Sequence, residues 1–220
     1  MDLDVGAPPP CYAAGTMAEQ VALSEGTDTA RSGTEERFVV HGVPWYLYVS
    51  LRDGLDESSS HLRLTYLQGE LELMSPSPEH EESKSLVGRL LEAWCMDQGI
   101  ELFLRGSTTL REERAARGLE PDESYSIGER KEFPDLAVEV VYSSWRVDKL
   151  ETYLGLRISE VWVFRDGRIR VHVLTAGRYE TRARSELLPD LDLDLLARHV
   201  VPGTSLTAAV RAFRRALAES

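Results

Sequence analysis

The chain's 220 residues, 28% charged and 42% hydrophobic, suit one soluble globular domain with tails better than two domains. Its 25 basic against 37 acidic side chains leave a net charge of −12, which opposes tight non-specific binding to a polyanion, so any nucleic-acid contact must be local or metal-assisted. No apolar stretch approaches the ~20 residues of a membrane helix, and a start with Asp2 and Asp4 but no early Lys or Arg lacks a signal peptide's basic segment, so a cytoplasmic location is the expectation.

Residues 1–35, rich in Gly, Ala, Pro, Ser, Thr and Glu, read as a flexible tail ahead of a domain over 36–220. Trp45, Tyr46, Leu47, Tyr48 and Leu51 predict a short first helix, ending before a polar loop at 53–60. Leu62, Leu64 and Tyr66 then alternate with polar residues, Gln68-Gly69 supplies a turn, and Leu71 and Leu73 alternate with Glu70, Glu72 and Met74, the pattern of a β-hairpin. Ser77 caps a helix begun by Pro78 and the acids Glu79, Glu81 and Glu82, which runs to about Gln98 and stops at Gly99. Its buried stripe is Val87, Leu90, Leu91, Trp94 and Cys95. Extended backwards, the stripe reaches His80, Ser83 and Lys84, which either face the sheet edge or belong to a solvated helix end.

Ile100 to Leu110, Glu120 to Ile127 and Asp135 to Val141 read as strands, and Val147 to Leu156 as a short helix. Ile158 to Phe164 and Ile169 to Leu174 form a hairpin around Asp166-Gly167. The segment 204–218 places Leu206, Val210, Phe213 and Leu217 on one helical face, and its Arg211, Arg214 and Arg215 read as the exposed side. A mixed sheet flanked by helices follows, with no repeat and no Gly-rich phosphate loop. Cys11 and Cys95 make neither a disulfide framework nor a zinc spacing, and His41, His61, His172 and His199 stand singly.

The chemistry concentrates in the run 135–141. Leu136, Val138 and Val140 share one strand face and read as core, while Asp135, Ala137, Glu139 and Val141 share the other. A carboxylate inside such a strand costs several kcal/mol unless a cation or strong hydrogen bonds compensate. Asp135 and Glu139 lie roughly 13 Å apart along the strand and cannot share one ion. Pairing of the 120–127 strand with 135–141 would instead set Asp122 beside Glu139. Asp135, directly after Pro134, has the simpler reading of a loop-to-strand acid.

These residues resemble a known family. The segment Tyr66 to Pro76 (YLQGELELMSP), His80, Glu120-Pro121-Asp122-Glu123, Pro134 to Val140 (PDLAVEV), Asp148-Lys149, Tyr153 and Glu160-Val161-Trp162 are similar to the Uma-type family of endonucleases, within the PD-(D/E)xK superfamily. The resemblance spans roughly Phe38 to Leu217. It implies an α/β (α+β) restriction-endonuclease-like fold, with Asp122 and Glu139 as divalent-metal ligands and catalytic residues. Val141 stands where the superfamily's usual lysine would be, so Lys149, ten residues after Glu139, becomes the candidate relocated lysine. The bland alternative is a solvated helix lysine pairing with Glu151 or Tyr153. His80 would contribute an outer ligand or a proton relay.

The implied reaction is Mg²⁺- or Mn²⁺-dependent hydrolysis of a phosphodiester in nucleic acid, DNA before RNA. Restriction-like enzymes commonly act as dimers to cut two strands, so a homodimer is one arrangement open to this chain. Two competing functions remain: an inactive relative that keeps the fold as a binding or interaction module, and a metal-dependent phosphoesterase acting on a small nucleotide.

Overall fold

The computed structural model describes residues 35–57 and 61–219, with the side chains of 56 and 57 excepted. The expected tail at 1–35 therefore lies outside the described residues except for Glu35, as do Cys11 and part of the predicted loop at 53–60. In chain order the elements are β1 (Glu36–Val40), α1 (Trp45–Glu57), β2 (Arg63–Leu67), β3 (Glu70–Ser75), α2 (Pro78–Gln98), β4 (Leu102–Leu104), β5 (Leu110–Glu112), β6 (Arg117–Leu119), β7 (Glu123–Ile127) and β8 (Leu136–Val140). There follow α3 (Lys149–Leu156), β9 (Glu160–Arg165), β10 (Arg168–Thr175), β11 (Arg178–Arg182), α4 (Leu193–Arg198) and α5 (Leu206–Glu219), with a 3-10 turn at Glu113–Ala115. None of these helices is long and apolar enough to cross a membrane.

Where the sequence suggests one mixed sheet, the strands form two. The first is antiparallel, in the order β1-β3-β2-β6-β5, and the second runs β11-β10-β9-β8-β7-β4. In the second sheet β8 and β9 are parallel and the other neighbours antiparallel. The predicted strand 100–110 divides accordingly, its first part becoming β4 of the second sheet and its end β5 of the first. Glu120 to Ile127 is likewise shorter than expected, because Asp122 occupies a bend ahead of β7.

Local chemistry explains the best-defined elements. Gln68 and Gly69 both adopt positive φ, closing the tight β2–β3 hairpin. The Ser77 side chain accepts from the His80 backbone N–H, Pro78 opens the first turn, and Gly99 ends α2 in the left-handed conformation with its N–H on the last carbonyls. Asp148 caps α3 by accepting from the Glu151 backbone N–H at 2.9 Å.

Both faces of β8 are covered. Leu136, Val138 and Val140 pack with Leu90, Leu91 and Trp94 of α2, and with Leu196 of α4 and Phe213 of α5. Ala137 and Val141, on the opposite face, pack with Tyr153 and Leu156 of α3 and with Val161 and Val163 of β9. Helix α3 also touches β2, β5 and β6 of the first sheet, so it lies between the two sheets. A third cluster joins Tyr48 of α1 to Leu64, Tyr66 and Leu71 of the first sheet.

Candidate functional site

Strand pairing brings the two acids together. Strand β7 runs antiparallel to β8 with Glu123 opposite Val138; one residue further back that register sets Asp122 opposite Glu139. The Val140 backbone N–H donates to Asp122 Oδ2 at 2.8 Å, which fixes the carboxylate against the end of β8. Asp122 and Glu139 are both almost completely buried.

Each carboxylate has its own cationic partner. His80, in the first turn of α2 and fully buried, donates through Nε2 to Asp122 Oδ1 at 2.9 Å. Its other ring nitrogen faces Glu35 Oε2 at 2.8 Å. A ring with carboxylates on both nitrogens satisfies both only as the imidazolium. Burial, the largest influence, disfavours that cation, but the hydrogen bonds to Asp122 and Glu35 outweigh it and hold the pKa up at about 9. The same contact from His80, with Lys149 and the Val140 N–H, keeps Asp122 below its ordinary range against the upward push of burial.

Lys149 and Tyr153 stand four residues apart on α3 and therefore on one helix face. Both reach Glu139: Lys149 Nζ donates to Oε2 at 2.6 Å, and the Tyr153 hydroxyl donates to Oε1. Lys149 is 2% exposed, so it is not the solvated helix lysine of the alternative reading, and its partner is Glu139 rather than Glu151. Burial opposes the Lys149 charge, yet the nearby Glu139 and Asp122 carboxylates raise its pKa above the ordinary value. Burial raises Glu139 as well, in spite of the lysine's pull.

The network continues into the first sheet through residues that sequence reasoning missed. The Arg37 Nε donates to Glu35 Oε1 at 2.9 Å and to Ser143 Oγ at 2.9 Å, and its Nη1 donates to Glu72 Oε1. Glu72 Oε2 accepts from the backbone N–H groups of Arg146 and Val147, just before α3, at 2.6 and 3.2 Å. Above them the exposed Tyr142 pairs its hydroxyl with Ser83 Oγ at 2.8 Å, beside the His80 ring. The available signal was Glu72, an acid on the same strand face as buried Met74. No local pattern marks β1, whose partner is chosen across the chain.

Other expected acids lie apart from this cluster. Asp135 accepts from Lys131 Nζ and from the Ile127 backbone N–H, each at 2.9 Å, the loop-to-strand role. Glu120 accepts from Arg52 at 2.7 Å and from Leu64 N–H.

A divalent metal can be tested against these donors. Among the described residues no three His, Cys, Asp or Glu side chains converge as a ligand set. The pair Asp122 and Glu139 nevertheless fits Mg²⁺ or Mn²⁺ in kind, since such ions are often held by one or two carboxylates with water and phosphate oxygens completing the shell. Each of the four oxygens accepts a described hydrogen bond and retains a second lone pair.

The Uma2 family model, described as "Putative restriction endonuclease", matches residues 47–209, well over half of the chain. Glu35 and Arg37 fall outside the matched residues. No curated protein matches the chain.

Proposed function

Since the chain belongs to the Uma2 family of restriction-endonuclease-like proteins, we propose that it is a metal-dependent nuclease hydrolysing phosphodiester bonds, in DNA before RNA. The observation that carries this reading is the formal charge of the buried cluster. Among the described residues Glu35, Glu72, Asp122 and Glu139 form ion pairs with Arg37, His80 and Lys149, four carboxylates against three cations. Buried groups of this kind are costly unless paired, and the cluster is left with one negative charge over, on the arm where Glu35, Glu72 and Asp122 share Arg37 and His80. A hard divalent cation suits that deficit.

In this reading Asp122 and Glu139 hold Mg²⁺ or Mn²⁺, which when bound lowers the pKa of its water and screens charge building on the phosphate. His80 acts as a positioning residue that fixes the Asp122 carboxylate. Lys149, which already donates to Glu139, donates to the oxyanion that develops on the phosphate, at a place where low dielectric strengthens the contact. Entry of a cation and a phosphate requires Lys149 or His80 to give up a carboxylate oxygen, because almost no solvent reaches the pair.

That closure favours one competing reading, a nuclease-fold module without catalysis, in which the cluster only joins the sheets. A cleavage assay on single- and double-stranded DNA with Mg²⁺ and with Mn²⁺ separates the two. The nuclease reading expects activity that needs metal and falls at least ~100-fold in Glu139→Gln and in Asp122→Asn, the scale seen when one electrostatic contact to the transition state is lost. Cleavage that survives Glu139→Gln, or no cleavage of any substrate by the wild type, overturns it.

A further inference from the structure

We infer that Arg165, Arg168 and Arg170, on the β9–β10 hairpin, form a track for the phosphate backbone of duplex DNA leading away from the Glu139 site. This inference rests on the nuclease reading. Its basis is strand register: Glu139 of β8 is paired with Val163 of β9, Val163 with Arg170 of β10, and Arg165 with Arg168. Residues in register share a sheet face, and residues two apart on a strand share it too. All three arginines therefore lie on the Glu139 face. At about 4.8 Å between strands, the Arg170 backbone is only about 10 Å from that of Glu139.

The row stands where α3 no longer covers the sheet. Val163 is buried under the α3 cluster, whereas Arg165, Arg168 and Arg170 are exposed. It lies at the carboxyl ends of the parallel strands β8 and β9, the end where open sheets receive ligands.

Charge singles the row out. Arg168 and Arg170 have no carboxylate within ion-pair distance among the described residues, and Arg165 leans only on Asp166, at 3.6 Å and 90% exposed. Arg178 and Arg182, on the other face of the same hairpin system, are tied to Glu180 and Glu186. Burial, and after it the charge of Arg170, hold the neighbouring His172 below its ordinary pKa. The other basic patch, Arg211 and Arg215 on α5, belongs to a helix packed against the opposite face of the sheet. In a chain of net charge −12, two arginines without a carboxylate partner and a third held only by an exposed one, beside a carboxylate site, match a polyphosphate. The row covers about 7 Å along the strands and one strand spacing across, roughly the length of two or three phosphates of one DNA strand.

The test is fluorescence anisotropy with a labelled 20-base-pair duplex in EDTA, so that binding is read without cleavage, at 50 to 200 mM KCl. The wild type is compared with Arg168→Ala/Arg170→Ala and with Arg178→Ala/Arg182→Ala, which removes the same charge from the opposite face. Melting temperatures report whether each variant is folded. At about 0.9 per phosphate contact, the first pair should lower the slope of log affinity against log salt by about 1.8, and the control pair should leave it unchanged. Equivalently, the affinity lost between 50 and 200 mM salt becomes about twelvefold smaller in the first variant. A wild type that binds DNA while the first pair leaves the slope intact, or while both pairs lower it equally, overturns the track and leaves the nuclease reading standing. A wild type without affinity for the duplex overturns the track as well, and the cleavage assay with metal on both kinds of DNA decides separately whether the nuclease reading falls with it.

Discussion

Lys149→Met removes the cation from a deeply buried ion pair of the site and keeps most of the side-chain volume. Lys149 and Glu139 have side-chain exposures of 3% and 1%, so no water can replace the lysine. Breaking such a pair by deleting one partner costs about 3–5 kcal/mol. The orphaned Glu139 has an escape, since it can bind a proton. From its ordinary value of 4.5, protonation at pH 7 spans 2.5 units at about 1.36 kcal/mol each, which caps this part of the loss at about 3.4 kcal/mol. The folded pKa of Glu139 then lies above the unfolded one, so the variant's stability is fully recovered below about 4.5 and declines as pH rises from there. Urea unfolding in EDTA should show a deficit of about 3 kcal/mol at pH 7 that shrinks to under about 1 kcal/mol at pH 5. A second variant, Lys149→Met with Glu139→Leu, should regain most of the loss at pH 7, because an apolar replacement of a buried pair is often neutral or better. A deficit that is the same at both pH values, or a double variant as unstable as the single one, would refute the reasoning.

Two further substitutions test the surrounding frame. Glu35 is held down at about 2 by hydrogen bonds from His80, Ser143 and Arg37, which together outweigh the opposing effect of burial. A depressed carboxylate stabilises above its unfolded pKa of 4.5 and loses that contribution as pH falls through about 2. The urea midpoints of the wild type and Glu35→Gln should therefore differ at pH 6 and converge between pH 4.5 and 2; a constant difference across this window contradicts the ion pair. Gly118→Ala on β6 would drive a methyl group into the Tyr48 ring, which cannot retreat because it is fully buried with its centroid 5.2 Å from that of Trp45 and 4.9 Å from that of Tyr66. A loss of about 1–3 kcal/mol in thermal or urea unfolding is expected, the usual cost of overpacking, and an unchanged midpoint would mean that the ring moves.

What could be read from the sequence was set by the range of each signal. The β2–β3 turn, the Ser77 cap with Pro78, the Gly99 stop and the Asp166-Gly167 turn involve neighbours in the chain, and each occurs where the residues indicate. The pairing of Asp122 with Glu139 was legible for a related reason: an acid in an apolar strand must meet something, and only one nearby strand could supply it. The division into two sheets was not legible. Strand β1 pairs with β3 from 31 to 39 residues away, and β6 joins β2 from 50 to 54; no local pattern encodes those choices. Strand β11 and helix α4 were missed because the first is a partly exposed edge strand rich in charge and the second has only six residues, too few for helical periodicity to emerge. Tyr153 shows the intermediate case, since its spacing from Lys149 put both on one face, but nothing local said which acid that face would meet.

The buried polar seam explains why these long-range choices matter. Arg37 and Glu72 come from the first sheet, Asp122 and Glu139 from the second, His80 and Lys149 from helices, and the hydrogen bonds among them span all four sources. Stability alone does not call for such a seam, because well-packed apolar side chains of similar volume would join the sheets at equal or lower free energy. An apolar seam could not hold two carboxylates face to face with a lysine already bonded to one and a histidinium to the other. Perturbed titratable groups of this kind are concentrated where chemistry is done, and in the nuclease reading the structural cost of keeping them is the cost of a reactive arrangement. The cations that neutralise the acids in the closed state then have a second consequence: metal and phosphate must compete with them, so Lys149→Met should bind Mn²⁺ more tightly than the wild type even as it loses cleavage. Calorimetric titration of the two proteins measures that difference directly, and an affinity that falls with the lysine would show that Lys149 supports the ion site instead of occupying it.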